Sequence, residues 1–550
     1  MTTPSADELL FLALGGAGEI GMNLNLYGHA GKWLMVDLGI GFVDDQSAGI
    51  DVVMPNPDFI VERKADLVGI VLTHAHEDHL GAVPDLWPEL EAPVYATPFA
   101  ASVLRRKLTE AGLLDRVPIT EIPLGAKFTV GPFELEMITM THSIPEPNAL
   151  AVRTKLGTVF HTGDWKIDPE PLLGNLTDEA RLKEIGEQGA LAMVCDSTNV
   201  FVEGEAGSEA TVRANLEKVV RAQKCRVAVT CFASNIARVE SIAKAAVAAG
   251  RHPVLSGRAL HRMIDAAQEC GYLLDFPPTI GEREAGYLPR DKVLYICTGS
   301  QGEPRASMAK LAFGDHRDLV LEEDDTAIFS SRVIPGNERV VGGMINAFLV
   351  RGVKVITDQD EPIHVSGHPG RDELVRVYQW VRPRIALPVH GEVRHMIEHA
   401  ALARSCQVPE QVVAPNGTLV RLAPGPATIV DHVPVGRLAR DGDVLVPVDA
   451  DSIRERRKLL QSGSAAVSLV LDAKGKTLAA PKVSLRGLED EEGELTAEAI
   501  AALKEALADL SNAERRDDGR IEEAARQAVR RVVRAHTGKK PLTDVHIVRI

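Results

Sequence analysis

The stretch Leu67-Val68-Gly69-Ile70-Val71-Leu72-Thr73-His74-Ala75-His76-Glu77-Asp78-His79 decides how the rest of the chain is read. Its first half is an apolar run bounded by polar residues, the pattern of a buried strand. Its second half crowds three imidazoles and the carboxylates of Glu77 and Asp78 onto one short turn, which is costly without a cation to share. Histidine nitrogen and carboxylate oxygen are ligands that a borderline divalent metal such as Zn²⁺ prefers. A strand that ends in metal ligands needs further ligands from the ends of neighbouring strands, and the sequence offers them.

The candidates are His142 in Thr139-Met140-Thr141-His142-Ser143, Asp164 in His161-Thr162-Gly163-Asp164, and His390 in Leu387-Pro388-Val389-His390-Gly391. On a HxHxDH turn the first two histidines can hold one metal while Asp78 and His79 hold a second, close enough to share a water. Asp37 ends a strand in Met35-Val36-Asp37-Leu38-Gly39 and is expected to orient ligand histidines. A lone His or Asp at a strand end is usually a satisfied loop residue; the set, anchored by HAHEDH, reads as a metal site.

Around these anchors, strands are expected at 9–14, 33–36, 68–72, 94–96, 133–140 and 158–161, within a layered α/β domain. From about 207 the pattern turns to βα alternation. Helices at 208–223 and 235–249 lead to strands at 227–230 and 254–256, followed by strands at 293–297 and 327–330. That alternation predicts an inserted parallel-sheet domain. A Pro/Gly-spaced stretch from about 424 to 450 reads as a linker. Beyond it lies a small unit with strands at 466–471 and 545–548 and helices at 496–509 and 521–536.

The 550 residues exceed one core, so several domains are expected. Apolar content of 45% with 25% charged residues is ordinary for a globular protein. Six scattered cysteines with no CxxC argue for a reducing compartment and against a thiolate zinc site. No apolar stretch approaches the ~20 residues of a membrane span, and Asp7 and Glu8 precede the first apolar run with no basic segment, unlike a signal peptide. A cytoplasmic protein with no membrane partner is the expectation. A net charge of −16 disfavours non-specific nucleic-acid binding, so any nuclease must concentrate positive charge locally.

HxHxDH followed by a separated His, Asp and His resembles the metallo-β-lactamase superfamily. The resemblance extends to its β-CASP nuclease group through Asp196 in Val194-Cys195-Asp196-Ser197-Thr198-Asn199, His368 in His364-Val365-Ser366-Gly367-His368-Pro369, and His390. Within that group, Thr298-Gly299-Ser300-Gln301-Gly302-Glu303-Pro304, Ile334-Pro335-Gly336-Asn337-Glu338, Phe232-Ala233-Ser234-Asn235 and the last unit are similar to the bacterial ribonuclease J family. The likeness covers essentially the whole chain.

The resemblance implies an α/β fold: a metallo-β-lactamase αββα sandwich over 1–206 and 356–425, an inserted β-CASP domain over 207–355, a linker over 426–458, and a small α+β C-terminal domain over 459–550. It implies two Zn²⁺ per subunit, with Mn²⁺ as the alternative. His74, His76 and His142 would hold the first, Asp78, His79 and His390 the second, and Asp164 both. A hydroxide activated between them would attack phosphorus and leave 5′-phosphate and 3′-hydroxyl ends, with His368 acting on the leaving oxygen and Asp196 and Asp78 also in the catalytic set. A histidine at position 390 points to RNA as substrate. His364, Ser366, Gly367, His368, Ser234 and Asn235 are the implied contacts to RNA and its 5′-phosphate; a glycine-containing loop opening onto a helix suits an anion. The implied activity is 5′→3′ exonucleolytic, with endonucleolytic cleavage in addition, in RNA processing and mRNA decay. A homodimer or homotetramer through the C-terminal domain is also implied. Because the superfamily fold also hosts lactamases and thioesterases, hydrolysis of another ester or amide is the alternative, and an insertion over 207–355 argues against it.

Two signals point elsewhere and are set aside. Gly16-Ala17-Gly18-Glu19-Ile20-Gly21 matches GxGxxG, but residues 22–27 alternate toward a strand and do not form the helix a dinucleotide site requires; the loop is expected to pass near the metal site. Arg526, Arg530, Arg531, Arg534, Lys539 and Lys540 cluster near the C-terminus and read as a solvated helix face.

Overall fold

The computed structural model describes residues 4–42 and 49–550. These fall into two compact units, the first made of 4–42 and 52–437, the second of 49–51 and 438–550.

The first unit is built on two facing sheets. One runs, in spatial order, Thr428–His432, Thr418–Ala423, Leu9–Gly15, Leu24–His29, Lys32–Val36, Leu67–Val71, Val94–Ala96 and Ile119–Glu121. The other runs Lys127–Val130, Phe133–Thr139, Asn148–Thr154, Gly157–His161, Ala190–Asp196, Ile385–Val389 and Glu410–Gln411. Leu9, Phe11, Leu34 and Val36 from the first meet Leu135, Leu150, Val152, Ala192 and Leu387 from the second in one fully buried core. The alternate residues of the second sheet, among them Ile138, Ala151 and Met193, pack on Leu182 and Ile185 of the helix Glu179–Gln188 and on Leu374 and Val377 of Arg371–Val381. Strands buried on both faces carry near-continuous apolar runs, which is how Leu9–Gly15 reads in sequence.

In the second sheet the strands Gly157–His161, Ala190–Asp196 and Ile385–Val389 are parallel neighbours, with Asp196 opposite Val389. The last two are distant in sequence because another sheet intervenes between them. It is wholly parallel, in the order His252–Ser256, Val293–Cys297, Val227–Thr230, Thr326–Phe329 and Lys354–Ile356. The expected strands of the insertion fall within a residue or two of these. The edge strand Lys354–Ile356 and the helices Arg258–Glu269, Ser307–Phe313 and Glu338–Val350 were not legible in the sequence.

The second unit contains a three-stranded sheet, Lys482–Arg486, Ser464–Leu471 and Leu542–Arg549, with one face packed on the helices Glu494–Ala508 and Asp518–Thr537. The stretch expected to be a linker is ordered. Thr428–His432 is an exposed edge strand of the first sheet, Arg437–Asp441 and Val444–Pro447 form a hairpin, and Asp451–Ser462 is a helix. Its Pro and Gly residues suit edge strands and turns as well as they suit a linker.

Candidate active site

The HxHxDH turn is held backbone to backbone against the loop after Lys32–Val36. Leu38 N donates to His79 O at 2.7 Å, Ile40 N to Glu77 O at 3.0 Å, and Asn23 N to Asp78 O at 2.9 Å. Gly39 sits so close that a Cβ there would lie 1.7 Å from Asp78 O, so only glycine fits. The turn is thus fixed before any ligand geometry is considered. From the other sheet, the C-terminal ends of its three parallel strands deliver Asp164, Asp196 and His390 to the same place, the edge where open α/β sheets bind ligands. His142 comes from the loop after Phe133–Thr139.

The result is one buried cluster. His74, His76, His142 and Asp164 can each offer a ligand atom with all four atoms within 4.8 Å of one another, and so can Asp78, His79, His390 and Asp164. Asp164 belongs to both groups. Its Oδ2 lies 3.2 Å from His79 Nε2, 3.7 Å from His390 Nε2, 3.9 Å from His142 Nε2 and 4.0 Å from His74 Nε2. His390 Nε2 lies 3.1 Å from Asp78 Oδ2.

The partners behind the rings decide which nitrogens face inward. His79 Nδ1 donates to Asp37 Oδ2 at 2.7 Å, because a carboxylate can only accept. His142 Nδ1 donates to the Gly367 carbonyl at 2.5 Å. Thr73 Oγ1 donates to Asp37 Oδ2 at 2.9 Å and so accepts from His74 Nδ1 at 3.0 Å. In the neutral rings each donation leaves the opposite Nε2 as a lone pair aimed into the cluster, the arrangement found behind metal-bound histidines. His76 Nδ1 lies 3.0 Å from His74 Nε2 and 3.1 Å from His142 Nε2. An Nδ1 proton on His76 can point at only one of these nitrogens; the other contact sets two lone pairs together, a repulsion that a positive centre between them removes. Asp164 Oδ1 is buried with no hydrogen-bond partner. These residues fit divalent cations.

The electrostatics agree. Burial, then the neighbouring imidazoles, hold His74 and His142 well below the ordinary histidine range, and burial brings His76 down to about 4. These three are neutral at pH 7 and available as ligands. Burial works against ionising Asp164, yet His390, His79 and His368 keep its carboxyl well below the carboxylate range. Burial likewise opposes charge on His79 and His390, but Asp164 and the other carboxylates around them outweigh it and raise both. The cluster therefore demands positive charge, which protons on His79 and His390 supply when no cation does.

Of the other expected residues, Asp37 stands behind His79 and Thr73, in a left-handed conformation (φ 66°) unusual for a non-glycine residue. His368 Nδ1 donates to Asp196 Oδ2 at 2.7 Å, which fixes Asp196 as the partner of that imidazole. Ser366 Oγ accepts from His368 N at 3.1 Å and from Asn199 Nδ2 at 2.7 Å, so the Ser366–His368 loop is bound into the cluster. The other three expected contacts are His364, Ser234 and Asn235. Asn235 caps the helix Ile236–Ala248, accepting from Arg238 N, and donates to Glu209 Oε1 at 3.0 Å. Ser234 precedes it in the same turn. His364 is pushed down to about 3 by burial and then by Arg238. These three gather around the buried Glu209–Arg238 pair. The GxGxxG loop does run past the site: His390 N donates to Gly16 O at 2.5 Å, and the strand Leu24–His29 comes next in the chain. Sequence reasoning missed Thr73, Asn23 and Asn199. Only the first, flanking His74, carries a signal visible in the sequence.

Comparison with known proteins bears on this geometry. Four families match along the chain: beta-lactamase superfamily domain over 33–182, ribonuclease J beta-CASP domain over 224–348, Zn-dependent metallo-hydrolase RNA specificity domain over 353–415, and ribonuclease J C-terminal domain over 451–550. The fold is therefore a metallo-β-lactamase domain carrying an inserted β-CASP domain and a ribonuclease J C-terminal domain. A solved structure of a protein of unknown function from Enterococcus faecalis superposes with a TM-score of 0.51 at 14% identity, covering 75% of this chain and 100% of that one, which supports the fold alone. Among curated relatives, ribonuclease J of Sinorhizobium meliloti is 46% identical over 99% of this chain and 98% of its own length. Ribonuclease J of Mycolicibacterium smegmatis is 37% identical over 98% and 97%, and that of Thermus thermophilus 32% over 98% and 94%. With identity sustained from end to end and every domain of the group matched in order, the chain belongs to the ribonuclease J family.

Proposed function

We propose that this chain is a metal-dependent ribonuclease that degrades RNA from the 5′ end, prefers 5′-monophosphate ends, and also cleaves internally, in RNA processing and mRNA decay. The observation that carries the reading is the pair of four-residue groups sharing Asp164. His74, His76, His142 and Asp164 would hold one cation and Asp78, His79, His390 and Asp164 the other, with Asp37 orienting His79. Two Zn²⁺ suit this donor set, and Mn²⁺ is the alternative. When bound, such a pair supplies the charge that makes a water nucleophilic near neutral pH and that offsets charge on phosphate oxygens, giving 5′-phosphate and 3′-hydroxyl products.

The chain's own residues do the rest. With Nδ1 committed to Asp196, His368 presents Nε2 as the proton donor to the leaving 3′-oxygen, and Asp196 holds the ring in that orientation. Ser366, Gly367 and His368, with His364, Ser234 and Asn235 further along, form the RNA-end pocket. The ribonuclease J domains matched along the chain favour RNA over a small ester or amide. The domain limits expected from the sequence, assembly through the C-terminal domain and a cytoplasmic location complete the proposal. Among the described residues, no helix is long and apolar enough to cross a membrane.

The test is RNA labelled at either end, incubated with metal-analysed protein. Release of mononucleotides from 5′-monophosphate RNA, faster than from 5′-triphosphate RNA, is expected; equal rates on the two would remove the end pocket. His368→Ala should slow cleavage by about 10²–10⁴-fold, the usual worth of a positioned proton donor, with RNA binding little changed.

A further inference from the structure

The segment Asp196-Ser197-Thr198-Asn199 meets the site at more points than its one carboxylate. Asp196 Oδ1 accepts from Thr198 N at 2.8 Å, a local turn that needs only the threonine backbone. The Thr198 hydroxyl is free for something else. It lies 2.7 Å from Asp196 Oδ1, 2.8 Å from His390 Nδ1 and 3.2 Å from His390 O. A hydroxyl has one proton to give, and the carboxylate is both nearer and charged, so the proton goes to Asp196. The oxygen is then an acceptor, and His390 Nδ1 must be the donor. In the neutral ring that assignment puts the lone pair of His390 on Nε2, toward Asp78 Oδ2 at 3.1 Å and Asp164 Oδ2 at 3.7 Å.

His390 needs such a partner. Among the five histidines of the two ligand groups, His79 and His142 find a carboxylate or a carbonyl behind the ring, and His74 finds Thr73. Asp196 is the nearest carboxylate behind His390, yet it stands 3.6 Å from Nδ1, beyond hydrogen-bond reach, and is committed to His368. Thr198 closes that gap and links the two rings through one carboxylate. The backbone adds to the requirement: His390 sits at φ 50°, a conformation that persists for such a residue only when its surroundings enforce it. Gly16 O holds its N–H and Thr198 holds its ring.

We propose that Thr198 is a positioning residue: its hydroxyl relays Asp196 to His390, fixes the ring with Nε2 inward, and thereby builds the cation position formed with Asp78 and Asp164. The proposal rests on the two-cation reading of the cluster. It is specific to one half of that cluster, because Thr198 touches no residue of the His74–His76–His142 group.

The experiment titrates Zn²⁺ into the metal-free full-length protein in competition with a chromophoric chelator, for the wild type, Thr198→Val, Thr198→Ser and His390→Ala. Two cations on the wild type are expected; fewer would overturn the two-cation reading itself, whatever the variants do. Given two, Thr198→Val should keep the first at wild-type affinity and weaken the second by about 10–100-fold, the range for partners behind a metal-bound imidazole. Thr198→Ser should restore it, and His390→Ala should lose it outright. Wild-type binding of both cations by Thr198→Val would overturn the proposal, and so would equal weakening of both, since that reports general loosening. On RNA, Thr198→Val should lower kcat with KM unchanged; a raised KM alone would place the hydroxyl on the substrate instead.

Discussion

At the scale of single residues, Asp164 does the work no neighbour can duplicate. It is fully buried, it approaches imidazoles of both ligand groups, and one of its oxygens has no partner among the described residues. Asp164→Asn keeps the shape and removes the charge that both groups share. The loss of both cations together is the expected outcome, read as metal per polypeptide after gel filtration; retention of one would mean that Asp164 serves a single position. The raised histidines give a second reading of the same site. The carboxylates around His79 and His390 raise both above the ordinary histidine range, which favours protons on them in the metal-free protein. Zn²⁺ binding must displace those protons, so calorimetric titrations in buffers of different ionisation enthalpy should show net proton release near pH 7. Binding heats independent of the buffer would contradict this electrostatic picture.

At the scale of elements, the cluster depends on one glycine and on strand ends. The loop after Lys32–Val36 and the HxHxDH turn are joined by backbone hydrogen bonds, and a side chain at Gly39 would collide with the Asp78 carbonyl. Gly39→Ala must push the turn and with it Asp78 and His79, whereas Gly281→Ala meets open space. Loss of bound Zn²⁺ in the first and none in the second is expected, with circular dichroism to show that both fold; identical behaviour would refute the close-packing argument. This is also where sequence reading reached its limit. HAHEDH, Asp164 and His390 were legible because ligand chemistry demands those residue types. Gly39, Thr198 and Asn199 were not, because a close backbone approach or a hydroxyl relay leaves no compositional trace. Ser234 and Asn235 were legible as a polar pair in a loop, but the hydrogen bond that ties the Asn235 amide to Glu209 of the buried Glu209–Arg238 pair was not. Breaking that pair with Arg238→Met strands a buried carboxylate and should cost about 3–5 kcal/mol in urea unfolding.

For the molecule as a whole, the strands over 227–330 were readable because buried parallel strands carry continuous apolar runs, although two of the helices between them were not. The order of 424–462 was not, since exposed edge strands share their composition with linkers. The division into two units has a consequence of its own. Every ligand of the cluster lies in 1–437, while 438–550 has a separate core of Val467, Leu469, Leu503, Ile521, Val529 and Val533 with its own sheet and two helices. A domain of about a hundred residues with one contiguous core is large enough to fold alone. A polypeptide of residues 438–550 should therefore unfold cooperatively in urea, with an m-value of about 1–3 kcal/mol/M as for other small domains. The chain ending at 437 should bind as many Zn²⁺ as the full protein, because charge and geometry at the cluster come from within that unit. A fragment 438–550 without a cooperative transition would mean that its core is completed by residues outside it. A truncated chain with reduced metal content would mean that the ligand groups draw support from beyond residue 437, and the two-unit division would then fail as an account of where the site's stability resides.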